Sequence, residues 1–187
     1  MSYQYPILIA LMIQRLWELY VSRKRLAEDV EHQSARLLAE PKFPAMVAVH
    51  VGWFAGCWLE VLWARPPFVA WLVIPMLAVW GGSVALRLWM MLALGRLWNV
   101  RLIERDEQPV VVSGPYRFIR HPNYLAVIAE ITAVPLLLGA YWTALAATLA
   151  NAAVLWFRIR DEEAYLFSVD EYAEAFTDKK RLIPRLF

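Results

Sequence analysis

The run Gly114 to Glu130, GPYRFIRHPNYLAVIAE, gathers side chains able to hold an anion at the edge of an apolar helix. Gly114 and Pro115 predict a turn, Arg117 and Arg120 follow, and His121 stands directly before Pro122 and Asn123. Proline is favoured at the first helical position, so His121 is expected just outside a helix, its imidazole beside unpaired backbone N–H groups. Such a helix start suits a carboxylate. A second run, RIRDEEAYL from Arg158 to Leu166, sets Glu162 four residues and Glu163 five residues after Arg158, so both carboxylates can approach one guanidinium at a helix end. An arginine fixes a carboxylate or enolate by two parallel bonds, and a neighbouring glutamate can accept a proton from a bound acceptor. Plainer readings exist for both runs. Arg117 and Arg120 also fit inside-facing charges with Pro122 as a simple helix start, and Arg158 with its glutamates also fits a surface salt bridge.

The elements that must position these groups are membrane helices. The chain has 187 residues, 60% apolar and 19% charged, with mean hydropathy +0.43. An average soluble domain is about 45 to 50% apolar and about 25% charged, so lipid is indicated as the solvent. That excludes a disordered chain and argues against a soluble enzyme. The formal net charge of +2 does not suggest a nucleic-acid partner. Cys57 is the single cysteine, which excludes an internal disulfide and a cysteine-cluster metal site. His32, His50 and His121 are scattered without metal-ligand spacing, so no metal is expected.

A spanning helix needs roughly 20 mostly apolar residues. Five stretches are read as spans: about 5 to 22, 45 to 64, 68 to 94, 123 to 138 and 141 to 158. The first lacks the basic lead and cleavage site of a signal peptide and is expected to be retained. Arg65, Pro66 and Pro67 break the second span from the third, and Gly139 with Ala140 the fourth from the fifth. The last two lie in one continuous apolar stretch, so a shallow hairpin is the alternative there. All Lys and Arg except Arg15, Arg65 and Arg87 fall in residues 23 to 44, residues 95 to 122 and the tail from Arg158 onward. The positive-inside rule then sets these segments in the cytoplasm and the N-terminus outside. Residues 23 to 40 and 161 to 178 carry mixed charge at helical spacing and are expected as interfacial or cytoplasmic helices. The fold class is therefore an all-α, multi-pass integral membrane protein of about five spans. Residues 1–187 form a single domain, N-terminal helices over 1–94 and a catalytic half over 95–187. The 95–122 loop and the C-terminal tail form its cytoplasmic binding region.

Charges inside spans are costly and normally face the protein interior or a wet cavity. Gln14, Arg15, Glu18 and Ser22 share one face of the first span, and Glu60, Arg87 and Glu130 are isolated charges in others. Structural ion pairing, Arg87 with a carboxylate, is the leading reading; a substrate pathway is the other. His50 is read as a satisfied core or interfacial histidine, the tryptophans as interface belts or packing, and Gly81, Gly82 and Ser83 as allowing close helix contact.

GPYRFIRHPNY, then RIRDEEAYL, then DEYAEAF and KKRLIP, in that order, resemble the C-terminal half of the isoprenylcysteine carboxyl methyltransferase family. The RHPxY and paired-Glu combination is shared more loosely with membrane phospholipid N-methyltransferases. QRLWELYVSRKR, the His50 region, LGRLWNVRLI and HPNYLAVIAEI further resemble a bacterial branch that methylates the hydroxyl of alkylpyrones or alkylresorcinols. The resemblance implies an integral membrane methyltransferase using S-adenosylmethionine on a lipophilic acceptor that arrives from the bilayer. It implies cofactor contacts for Arg120, His121, Pro122, Tyr124, Gly114, Tyr116, Tyr172 and Arg181. Catalytic roles fall to Arg158, Glu162 and Glu163: Arg158 orienting the acceptor anion, Glu163 as base or partner of the sulfonium. Carboxyl methylation of a prenylcysteine, phospholipid N-methylation and a non-enzymatic membrane carrier are the alternatives.

Overall fold

The computed structural model describes residues 3–31, 35–37, 42–101, 103–105 and 109–183; His32 and Arg185 lie outside them. Its helices are α1 (Gln4–Glu31), α2 (Phe43–Ala64), α3 (Ala70–Leu94), α4 (Pro122–Leu138), α5 (Tyr141–Leu166) and α6 (Asp170–Phe176). Two three-residue strands, β1 (Ala35–Leu37) and β2 (Ile103–Arg105), pair antiparallel. The expected boundaries move in two places. α1 runs on through Glu31 and α5 through Leu166, because neither continuation contains the Gly or Pro that would stop it. Residues 23 to 31 and 161 to 166 are thus extensions of spans rather than separate helices.

The breaks fall where the chain chemistry requires. α2 ends before Arg65, which takes a left-handed φ of 44°, and Pro66 and Pro67 forbid continuation. α4 ends at Gly139 with φ 77°, and a Cβ there would lie 2.5 Å from Pro66 Cβ, so only glycine lets these two turns touch. Tyr3 donates from its hydroxyl to Leu137 O (3.1 Å) and Gln4 from its amide to Pro66 O (2.8 Å), which adds the start of α1 to the same end of the bundle. Glu60 of α2 accepts from the backbone N–H groups of Trp142 (3.1 Å) and Thr143 (2.9 Å) and so caps α5. Trp63, Trp71 and Trp142, all strongly exposed, ring this end as an interfacial belt would. Gly81 and Gly82, by contrast, have nothing within 4 Å of a built Cβ; the close helix contact is instead at Gly56, where that Cβ would lie 2.9 Å from Thr143 Oγ1.

α2, α3 (continued to Leu97) and α5 are long and apolar enough to cross a membrane. α4 has 17 residues, about 25 Å at 1.5 Å per residue, and α1 is long but carries charges. α4 compensates by burial. It packs Val127, Ile131, Val134 and Leu138 against Leu8 and Leu11 of α1 and Trp53, Cys57 and Val61 of α2. It is the central helix, packed against α3, α5 and α2.

The charges in the spans meet beside it. Glu130 Oε2 pairs with Arg15 Nη2 and with Arg87 Nη2 (2.5 Å), and Glu18 pairs with Arg15 Nη1 (2.8 Å) and Arg87 Nε (3.2 Å). Gln14 Nε2 donates to both carboxylates, at 3.0 Å to Glu18 and 3.1 Å to Glu130. This is structural ion pairing that ties α1, α3 and α4 together.

Candidate functional site at the basic end of the bundle

At the opposite end, α1, α3 and α5 finish while α2 and α4 begin. Ser22 Oγ of α1 donates to Asn99 Oδ1 (2.8 Å), and Lys42, just before α2, pairs with Asp161 of α5 (2.6 Å). A 3₁₀ turn over Gly114–Arg117 precedes α4. Gly114 has φ 60°, and its Cβ would lie 2.6 Å from Ala93 Cβ, so the turn is pressed on α3. His121 is the residue before α4 and Pro122 its first, with no side-chain cap on the helix start. The tail returns to this loop. Arg120 and His121 donate their backbone N–H groups to Lys180 O and Arg181 O, both at 2.9 Å. Arg120 Nε donates to Lys179 O (2.7 Å) and Lys179 Nζ to Tyr116 O (2.9 Å).

Glu163 is the hub of this closure. His121 Nε2 lies 3.1 Å from Oε1, Arg120 Nη1 3.3 Å from Oε1, and Arg181 Nη2 2.6 Å from Oε2. One buried carboxylate thereby joins α5, the loop before α4 and the tail. Charge-assisted bonds of this kind are about twice as strong as neutral ones. Glu162 takes a different direction. Its Oε2 accepts from the Tyr124 hydroxyl, which in turn accepts from Arg158 Nε (2.9 Å). Arg158 also reaches Met46 Sδ (2.9 Å) and Val100 O (3.4 Å), and stands over the Phe43 ring, shared with Arg101.

Between these groups is a cavity of about 220 Å³. Met90, Leu94, Leu97, Val110 and Val111 make an apolar side, and Trp98, Tyr116, Tyr172 and Phe176 an aromatic one. Tyr172 stacks on Phe176 with ring centroids 4.5 Å apart. Burial, with the nearby Glu162 charge, pushes the Tyr116 and Tyr172 phenols up, so both remain protonated donors at neutral pH. The polar side holds Arg101, Arg120, His121, Asn123, Arg158 and Glu162.

The residues singled out in the sequence therefore converge, but not in one layer. Arg120, His121, Pro122, Tyr124, Tyr116, Tyr172, Arg158 and Glu162 border the cavity; Gly114, Glu163 and Arg181 stand behind its wall. Arg158 bonds Tyr124 and reaches Glu162 through it, while Glu163 is bound by Arg120, His121 and Arg181. Spacing on one helix could not distinguish the two glutamates, since the partners that separate them come from α4 and the tail. Arg101 and Asn123 in the cavity lining, and Phe43 and Met46 beside Arg158, join the site without a role read from sequence. Asn123 directly follows His121 and Pro122 and Arg101 follows LGRLWNV, whereas Phe43 and Met46 carry no sequence signal of a site.

A bundle with three helices long and apolar enough to cross a membrane, and a polar and aromatic-lined cavity at its basic end, is that of an integral membrane protein. The family model described as Isoprenylcysteine carboxyl methyltransferase (ICMT) family matches residues 72–168, more than half of the chain. The chain belongs to that family. It is 35% identical over 162 residues to YpbQ, an uncharacterized protein of Bacillus subtilis (strain 168), covering 86% of this chain and 95% of that one. The solved eukaryotic intramembrane Ras methyltransferase ICMT shares the fold with a TM-score of 0.61 at 23% identity, over 77% of this chain and 53% of the other. The chain thus spans about half the length of that enzyme.

Proposed function

We propose that this protein is an S-adenosylmethionine-dependent O-methyltransferase whose acceptor is a lipophilic hydroxyl compound of the alkylpyrone or alkylresorcinol type. The observation that carries the reading is the Arg158–Tyr124–Glu162 chain on one side of a cavity whose other sides are apolar and aromatic. When bound, the cofactor supplies an electrophilic methyl group on a sulfonium. The donor set suits it: backbone N–H groups at the uncapped start of α4 and His121 for the carboxylate, Tyr116, Tyr172 and Phe176 for the adenine, and Glu162 for positive charge. Arg158 orients the acceptor oxygen and stabilises its anion, and Glu162 takes up its proton, directly or through Tyr124. Glu163 acts as a positioning residue that holds the loop and tail in register. Bringing two reactants together in one orientation supplies most of the rate gain for such a displacement. A carboxylate acceptor needs no base, so the Glu162 arrangement favours an enol or phenol over a prenylcysteine.

We further read the cavity end as cytoplasmic, with five crossings and the N-terminus outside. The charged cofactor enters from the basic side and the acceptor from the bilayer. Incubation of membranes with methyl-labelled cofactor and lipid extract tests this. Label should enter an apolar product and survive mild alkali, as an ether does; release as methanol would point to a carboxyl ester instead. An absence of both transfer and cofactor binding would end the proposal.

A further inference from the structure

Asn123 is bonded by a residue of the membrane-embedded charge cluster, and that contact settles which end of its amide is free. Arg87 Nη1 donates to Asn123 Oδ1 at 3.4 Å. An arginine has no acceptor, so the atom facing it must be the amide oxygen and not the nitrogen. Asn123 borders the cavity and Arg87 does not, and the Nδ2 group, with two hydrogens, has no hydrogen-bond partner among the described residues. Arg87 is itself fixed on the far side by Glu18 and Glu130 and is 5% exposed, so it cannot swing to offer a different partner. The same first turn of α4 has no side-chain cap, and its earliest N–H groups remain available beside Nδ2.

We infer that Asn123 is a cofactor-binding residue: its Nδ2, aimed by Arg87, donates to the carboxylate of the bound methyl donor. This rests on the reading of the cavity as that donor's site. A neutral amide held in this way adds a directional bond without adding a cation. The neighbouring Arg120 and His121 side chains also bond Glu163, whereas Asn123 adds a donor that no carboxylate among the described residues shares. Asn123 is an uncharged side chain of the lining that supplies such a donor. The role also gives the buried Arg87 a purpose besides pairing. It transmits the order of the α1–α3–α4 cluster to one atom of the cavity.

The variant Asn123→Asp isolates that atom, because it retains an oxygen for Arg87 and exchanges only the cavity-facing N–H group for an acceptor. Titrations of full-length protein in detergent would use S-adenosylmethionine and its decarboxylated analogue. A hydrogen bond to a charged group contributes about 1.5 to 3 kcal/mol, so loss of S-adenosylmethionine affinity of about tenfold or more is expected for Asn123→Asp. Asn123→Ala should lose a comparable amount and guards against an effect of the added charge alone. Affinity for the decarboxylated analogue should change by less than about twofold in both variants, since the group that Nδ2 would bind is missing. Unchanged S-adenosylmethionine affinity, or equal loss for both ligands, would overturn the inference while leaving the wider proposal intact. A wild-type protein that binds neither ligand would overturn both.

Discussion

Two clusters of buried charge lie along α4, one two turns inside the helix at Glu130 and one at its start around His121. In the inner cluster two arginines face two glutamates, and every carboxylate oxygen has a partner among Gln14, Arg15 and Arg87. In the outer one, Arg120, His121 and Arg181 converge on Glu163, but Arg101, Arg158 and Asn123 border a cavity next to it. Both clusters carry a desolvation cost, and both fasten segments distant in sequence. What separates them is the cavity: side chains beside the outer cluster border it, and none of the inner charges is in its lining. Buried charge in a membrane helix does not by itself mark a site; polar side chains that border a cavity do.

If the inner cluster is purely structural, breaking it should give the largest loss of stability. Glu130 has no exposure, and Glu130→Ala would leave Arg15 and Arg87 short of their shared partner in the membrane interior. Removing one partner of a buried pair costs about 3 to 5 kcal/mol. Thermal unfolding in detergent should shift strongly downward and the amount of protein in the membrane should fall. A variant that melts like the wild type would remove the distinction between the clusters.

The outer cluster should respond in the opposite order, with activity ahead of stability. Glu163→Gln weakens the contacts to Arg120, His121 and Arg181 at once, and both arginines are more exposed than Arg87. Labelled-methyl turnover is expected to fall about tenfold or more, with a smaller change in melting than Glu130→Ala produces. At the cavity itself, Arg158→Ala should depress turnover with little loss of folded protein. Arg158→Lys should fail to restore it, because an ammonium lacks the planar fork that reaches Tyr124 and the backbone together. Wild-type rates in both Glu163→Gln and Arg158→Ala would reject the site.

The legible part of this molecule is the part written in local chemistry. Pro66, Pro67 and Gly139 stand where helices end and Pro122 where one begins, so these breaks and His121 as the residue before α4 follow from residue type, although Pro75 and Pro135 lie inside helices. The face formed by Gln14, Arg15 and Glu18 is likewise a matter of period, though its partners Arg87 and Glu130 come from other helices. The illegible part depends on tertiary neighbours. Glu162 and Glu163 are adjacent and chemically identical, yet α4 claims one through Tyr124 and the tail claims the other through Arg181. The backbone pairing of Arg120 and His121 with Lys180 and Arg181 closes the site, and no periodicity announces it. Asn123 had the right neighbours in sequence, but its role depends on Arg87, 36 residues away.

The smallest effect should come from a third ion pair, which resembles the others only in distance. Lys42 Nζ lies 2.6 Å from Asp161 Oδ2, closer than Arg120 to Glu163, but the two side chains are 42% and 51% exposed. Exposed pairs contribute about 0 to 1 kcal/mol, since water and salt screen the attraction and two mobile side chains must be ordered. Lys42 also lies over the Phe157 ring at 5.1 Å, a contact that survives loss of the carboxylate. Asp161→Asn should therefore shift unfolding by less than about 1 kcal/mol, and the remaining difference from wild type should shrink further in high salt. An effect as large as that of Glu130→Ala would mean that burial and charge balance do not separate the inner cluster from the rim. The contrast between a sealed structural network and a ligand-ready one would then lose its physical basis.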